Sequence, residues 1–299
     1  LTVSNCTFKD NDWDGIYAHS CDGLSVAYSY FGNNTAYGVI ASNCVNLLFC
    51  ECSFWRDDLM VVGSRSSFST YSFENITVNG LSLLYVYNQS GLTISGDYGE
   101  VILACCTNCT VENAPAFVSA AWCDDLVVRG VSCSESDHGL IVYGCSNVAV
   151  DSFAASNSFL GVLLQLSSNV TLCSSSLSNS TAYAVLSFFC KNSLLFNCTL
   201  SGSGGAGFLA YYDTNTTITR CTFRDNDIGV GLDYGCQNCT VYLNNFLNNA
   251  QHAYDHGANA WNSSRYGNYW DDYTGVDEDG DEMGDAPYYI DSDSVDYLP

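Results

Sequence analysis

Carboxylates carry most of the chemistry that this sequence offers. Near its C-terminus Asp277, Asp279, Asp281 and Asp285 stand at relative positions 1, 3, 5 and 9, with Gly280 and Gly284 between them. Glycines let so short a loop wrap oxygen ligands around a hard cation, and Met283, at relative position 7, adds a backbone carbonyl. Calcium is the cation that such oxygens take, here in a structural role. Tyr288 occupies relative position 12, where a bidentate acid is usual, so that ligand falls to Asp271, Asp272 or water. Elsewhere acids come in pairs: Asp57 with Asp58, Asp124 with Asp125, and Glu135 with Asp137 beside His138. Inverting glycosidases use such pairs as acid and base, roughly 6.5–9.5 Å apart. Acids in these clusters also accept hydrogen bonds from nearby backbone N–H groups in turns, which is the role expected here.

Other reactive or ligating residues are sparse. His252 and His256 lie four apart, but their Asn- and Gly-rich flanks do not read as a helix that would aim both at one metal. Cys105-Cys106-Thr107-Asn108-Cys109 lacks the matched second pair of a zinc site. Gly202, Gly204 and Gly207 fit GxGxxG without the helix that a dinucleotide site requires, so they read as a turn. Eight Lys and Arg against 32 Asp and Glu leave a net charge of −24. No basic patch exists to neutralise phosphates, which excludes nucleic acid and anionic membrane surfaces as partners. The basic residues stand singly, so the cationic cluster that uronate-cleaving lyases need is absent. With 47% hydrophobic and only 13% charged residues the chain must fold. No apolar run is long enough to span a bilayer.

The elements that would position these groups follow from a repeat. Strand-like segments begin at 1, 24, 47, 69, 92, 109, 126, 148, 170, 193, 216 and 239, and nine of the eleven spacings are 22 or 23. Third in each segment comes an apolar column, from Val3, Val26, Phe49 and Tyr71 to Ile218 and Val241. Eighth comes another, from Phe8, Phe31, Phe54 and Ile76 to Phe223 and Phe246, and eleventh a polar one, Asn11, Asn34 and Asp57 onward. Runs such as LTVSNCTF alternate with period two and are separated by Asn, Asp, Gly and Ser, so they are strands and turns. Helical repeats need longer units with helical periodicity, and leucine-rich repeats need LxxLxLxxN; neither is present. The expected fold is all-β: a right-handed parallel β-helix of about twelve turns over residues 1–259, with an acidic C-terminal cap at 260–299.

The repeat pattern, apolar–x–x–Asn/Cys–x–apolar–x–x–Asn, resembles the NosD-like, carbohydrate-binding and sugar-hydrolase superfamily of β-helix proteins. The tail from Gly267 to Tyr273 and from Asp277 to Tyr288 resembles the terminal segment of archaeal surface proteins of this type, and its DxDGDxxGD spacing resembles thrombospondin-type and EF-hand calcium loops. The resemblance implies an extracellular, cell-surface or S-layer-associated module and no particular reaction. Arg56-Asp57-Asp58-Leu59 is similar to the paired-Asp motif of polygalacturonase-type enzymes, but the accompanying Gly-His-Gly and Arg-x-Lys are missing. NosD-like proteins are associated with copper insertion, for which two Met and four His are a poor supply.

Seventeen cysteines and eleven Asn-x-Ser/Thr sequons, at Asn5, Asn33, Asn75, Asn88, Asn108, Asn169, Asn179, Asn197, Asn215, Asn238 and Asn262, point outside the cell. Neighbouring turns bring Cα atoms about 4.8 Å apart, so Cys21–Cys44, Cys123–Cys145 and Cys198–Cys221 are candidate disulfides; stacking as buried thiols is the alternative. Tyr17, Tyr28, Tyr30, Tyr143, Tyr211, Tyr212 and Tyr234 either stack on sugars or cover the outer face. Leu1 to Gly23 matches the interior repeats, so the N-terminal end is expected to meet further turns or another molecule. The expected function is an extracellular, glycosylated scaffold or adhesion module that contacts other copies or segments of a surface assembly. Polysaccharide binding without catalysis is the first alternative, and polysaccharide cleavage the second.

Overall fold

The computed structural model describes residues 1–114, 116–257 and 259–299. Short strands coil into about twelve turns whose equivalents pair in parallel, residue on residue: Val3 on Val26 on Phe49, and Val111 on Val128 on Val150 on Leu172 on Leu195 on Ile218 on Val241. The molecule is a right-handed parallel β-helix, and among the described residues no helix is long and apolar enough to cross a membrane. The 3₁₀ turn Ser67–Thr70 shifts the fourth repeat by two residues, so Phe73 pairs with Phe49 and Val78 with Phe54, where the spacing predicted Tyr71 and Ile76. The two 17-residue repeats have two strands per turn, and the third side resumes only at Ser132–Ser134.

Each bend would orphan a backbone N–H, and a side chain of the next turn accepts it. The amide of Asn11 meets Asn34 Oδ1, that of Cys145 meets Ser167 Oγ, and that of Cys190 meets Asp213 Oδ1. Cysteine sulfur fills the same position: the amides of Cys21, Cys123 and Cys198 donate to the Sγ atoms of Cys44, Cys145 and Cys221 at 3.4, 3.2 and 3.4 Å. These are the three candidate disulfides, and the structure forms none of them; all seventeen cysteines are free. Parallel stacking points both side chains the same way, and in each pair the second sulfur accepts an amide while the first faces backbone carbonyls.

A reversal interrupts the coil. Thr77–Val78 turns through Asn79-Gly80, both at positive φ, into an antiparallel partner that begins Leu81–Tyr87. This two-residue hairpin geometry favours Asn-Gly. One thirteen-stranded sheet runs across the reversal. Turning the chain round in the sheet plane while keeping a right-handed coil forces the second coil to close on the opposite face. The packing follows that rule. Phe8, Phe31, Phe54 and Val78 share one core with Ile102, Ala104, Phe117 and Ala121, whereas Val101, Leu103, Val118 and Ala120 face the other core. The first three turns therefore sit on the outer face of the second coil. Glu100–Ala104 and Phe117–Ala121 are buried throughout, as strands covered on both sides must be.

At the far end an aromatic column leaves the coil. Phe223, Phe246, Trp270 and Tyr288 stack at centroid distances of 5.3, 4.2 and 4.2 Å. Two acids end the acceptor ladders. Asp296 accepts from Asn268 N (2.8 Å) and Trp270 Nε1 (3.0 Å), and Asp255 from Trp261 Nε1 (3.1 Å) and Ser294 Oγ (2.9 Å). An ionised carboxylate accepts without donating, so it closes a ladder that an amide would extend.

Candidate functional site

Two acidic clusters that are 77 to 81 residues apart in sequence meet where the first coil lies on the second. Strand Leu59–Val62 is the last of its three-stranded sheet and has no following turn to pair with. Carboxylates of the second coil replace that turn: Asp137 Oδ2 accepts from Asp58 N (2.9 Å) and Gly38 N (3.2 Å), and Glu100 Oε2 from Leu59 N (3.2 Å). Asp58 reciprocates, since its Oδ2 accepts from His138 N (3.2 Å) and lies 2.9 Å from His138 Nδ1. Further along, Trp122 Nε1 donates to Gly63 O at 2.6 Å. Asp57 faces its own coil and takes both Asn34 N (2.9 Å) and Asn34 Nδ2.

All five of Asp57, Asp58, Glu100, Asp137 and His138 are buried. Burial, then the charge of Asp58, pushes the Glu100 and Asp137 carboxyls well above the carboxylate range. Burial raises Asp57 to about 6 against the lowering effect of the Asn34 bonds. Tyr37 is raised by burial and then by Asp58, Asp137 and Asp14. The acids at the junction thus accept backbone N–H groups, as the sequence predicts for turn residues, but from across the fold rather than from their own turns. Asp124 does not hold its own turn either: its Oδ1 accepts from side chains of the next turn, Ser146 Oγ (2.6 Å) and Asn147 Nδ2 (3.0 Å). Neither Glu100 nor Tyr37 stands out in the sequence, being a lone acid and a lone tyrosine; the Asn79-Gly80 hairpin signal was present.

Beside these acids the junction opens a polar cleft of about 390 Å³. Arg56 and Glu135 form an ion pair across it at 2.8 Å, both about half exposed. Asn33, Asn157, Thr35, Thr181 and Phe159 complete much of its wall. The arrangement offers amides, hydroxyls, one planar cation, one accessible carboxylate and an aromatic ring to a ligand.

The C-terminal loop brings together Asp277, Asp279 and Asp281, whose oxygens lie within 4.8 Å of one another and are exposed. Asp277 accepts from Gly280 N (2.6 Å), Asp285 from Glu278 N (2.6 Å), and Asp281 from Met283 N (3.0 Å). The charge of Asp281 raises Asp279. Asp271 and Asp272 do not complete this loop. They meet His252 instead, at 2.8 and 3.4 Å, and Tyr288 is the last rung of the aromatic column. His252 and His256 do not converge; His256 Nδ1 lies 2.8 Å from Asp233. Ten of the eleven sequon asparagines, all but Asn262, have positive φ and are exposed. Asn tolerates that left-handed conformation, which the bends of the coil require at these positions.

Parallel strands, stacked inward columns and acceptor ladders define the class, a parallel β-helix. The family model described as periplasmic copper-binding protein (NosD) matches residues 72–275, and the chain belongs to that family. A second model, right handed beta helix region, matches residues 1–98, and the two overlap at the hairpin. Among solved structures the chain is similar to the A-module of a mannuronan C-5 epimerase of Azotobacter vinelandii, with 14% identity, TM-score 0.52 and 90% of each chain covered. It is also similar to a point mutant of a periplasmic alginate epimerase, with 9% identity, TM-score 0.51, and coverage of 90% of this chain and 77% of that one. These likenesses concern the fold. No match is found among curated proteins.

Proposed function

We propose that this chain is an exported, non-catalytic carbohydrate-binding scaffold, and that the cleft at the junction of its two coils is the sugar site. The observation that carries this reading is the wall of the cleft: side-chain amides, hydroxyls, the Arg56–Glu135 pair and the Phe159 ring. Sugar hydroxyls pair with the first three, and a ring lies against the last. Binding is favoured over cleavage because the acids are committed. Asp57 has both oxygens occupied, Asp137 Oδ2 holds two amides, and Glu135 is paired with Arg56, whereas glycoside hydrolysis needs two available carboxyls.

The family description names copper, but the described residues do not suit it. His252 Nε2 meets Asp271 and Asp272, two hard oxygen donors, and no second imidazole, thiol or thioether completes that group among the described residues. His138 is enclosed by Asp58 and Ser119, and the engaged thiols are buried acceptors. Calcium in the Asp277–Asp285 loop, clamping the cap, belongs to the same proposal, as does placement at a cell surface beside further copies. Affinity electrophoresis in polysaccharide gels tests the binding reading. Retardation lost in Phe159→Ala and Asn157→Ala supports it; release of reducing sugar by the wild type would replace it with an enzyme.

A further inference from the structure

The charges around the cleft carry the reading to a ligand class. Arg56 is the cation among the cleft-lining residues, and its guanidinium is already held by Glu135 at 2.8 Å. Glu135 stands on the same wall, Asp57 follows Arg56 in the chain, and the whole molecule carries −24. A uronate entering this cleft would set a carboxylate beside these acids with no free cation to answer it. A neutral sugar meets no such penalty, because its hydroxyls both donate and accept, as do the amides of Asn33 and Asn157. A protonated amino group gains a partner, since the exposed half of Glu135 can take an ammonium in place of Arg56.

We infer that the cleft selects amino-bearing and neutral sugars and rejects uronates. This rests on the carbohydrate-binding reading above and sharpens it, and it sets the chain apart from the mannuronan-acting enzyme whose fold it shares. Repulsion of like charge is a device for specificity, and it weakens with salt.

The test is calorimetric titration of the full chain with four oligosaccharides of equal length: glucosamine, N-acetylglucosamine, glucose and mannuronate oligomers. Chelator is present, so that no divalent cation bridges acid to acid. The expected order places glucosamine first and mannuronate last. Glu135→Gln, at an exposed position that leaves the fold intact, should reduce the glucosamine advantage over glucose roughly two- to fivefold, the range of a half-exposed ion pair. Raising salt should narrow the gap from both sides. Mannuronate binding as tightly as glucose would overturn the inference while leaving carbohydrate binding intact. So would a glucosamine advantage that survives Glu135→Gln unchanged. Failure of all four to bind at millimolar concentration would remove the sugar site itself, and the inference with it.

Discussion

Replacing Asp57 by Asn should make the protein more stable at neutral and alkaline pH, although it removes a buried hydrogen-bonded carboxylate. Asp57 is buried with its pKa raised to about 6 from 3.8, so ionising it opposes folding. A carboxyl whose folded value is raised loses stability for the fold as pH climbs from the unfolded value through the folded one, here from about 4 to above 6. The full shift corresponds to about 3 kcal/mol. Relaxation of the surroundings around a buried charge reduces the realised cost to roughly 1–2 kcal/mol. The ladder itself shows that an amide fits: one turn earlier Asn34 Oδ1 accepts both Asn11 N (3.2 Å) and Asn11 Nδ2 (2.6 Å), while Asn34 Nδ2 donates to Phe8 O (3.3 Å). Asp57→Asn reproduces that geometry with Asn34 as donor. Denaturant melts at pH 4.5 and pH 8, with hydrogen exchange of the Asn34 amide alongside, read the effect. The variant should match wild type at pH 4.5 and exceed it at pH 8. Equal destabilisation at both values would show that the carboxylate is needed as an acceptor and that its charge costs nothing.

Asp137→Ala strips the acceptor from the amides of Gly38 and Asp58, and at about 1–3 kcal/mol for each unsatisfied group the first coil should loosen from the second; hydrogen exchange should accelerate at those amides before it does in the Val111–Val241 stack. Alkaline titration of the wild type should release the same contact, because Glu100 and Asp137 must ionise beside Asp58; protection factors, corrected for the intrinsic rise of exchange with pH, that stay flat from pH 6 to 9 would contradict this. Cys221→Ser keeps an acceptor for the Cys198 amide and should be nearly neutral, whereas Cys221→Val should cost about 1–3 kcal/mol; equal costs would show that sulfur acts there by volume alone. Chelator should lower the melting temperature through the cap, and Asp279→Ala with Asp281→Ala should reproduce that loss; calcium-free protein that melts unchanged would leave the loop a set of turns.

The coil was legible because its cause is local and repeated. Columns such as Val111 to Val241 recur in one register, and each turn meets only its neighbours, so spacing alone specifies parallel stacking. The bends were legible through Asn, whose left-handed tolerance suits the positions where most of the sequons fall. The cysteines were half legible. Position showed that they stack, but whether sulfur bonds to sulfur or accepts an amide depends on side-chain direction, which spacing does not contain. The junction was not legible. The Asn79-Gly80 dipeptide announces a hairpin, yet its consequence, a second coil closing on the opposite face, follows from handedness acting on the whole sheet. That one reversal sets Asp58 against Asp137 and His138, turns scattered acids into a shared buried cluster, and opens the cleft beside them. Sequence determined what each turn is made of; only the path of the coil decided which turns would meet, because contacts between distant turns depend on a direction that no single repeat encodes.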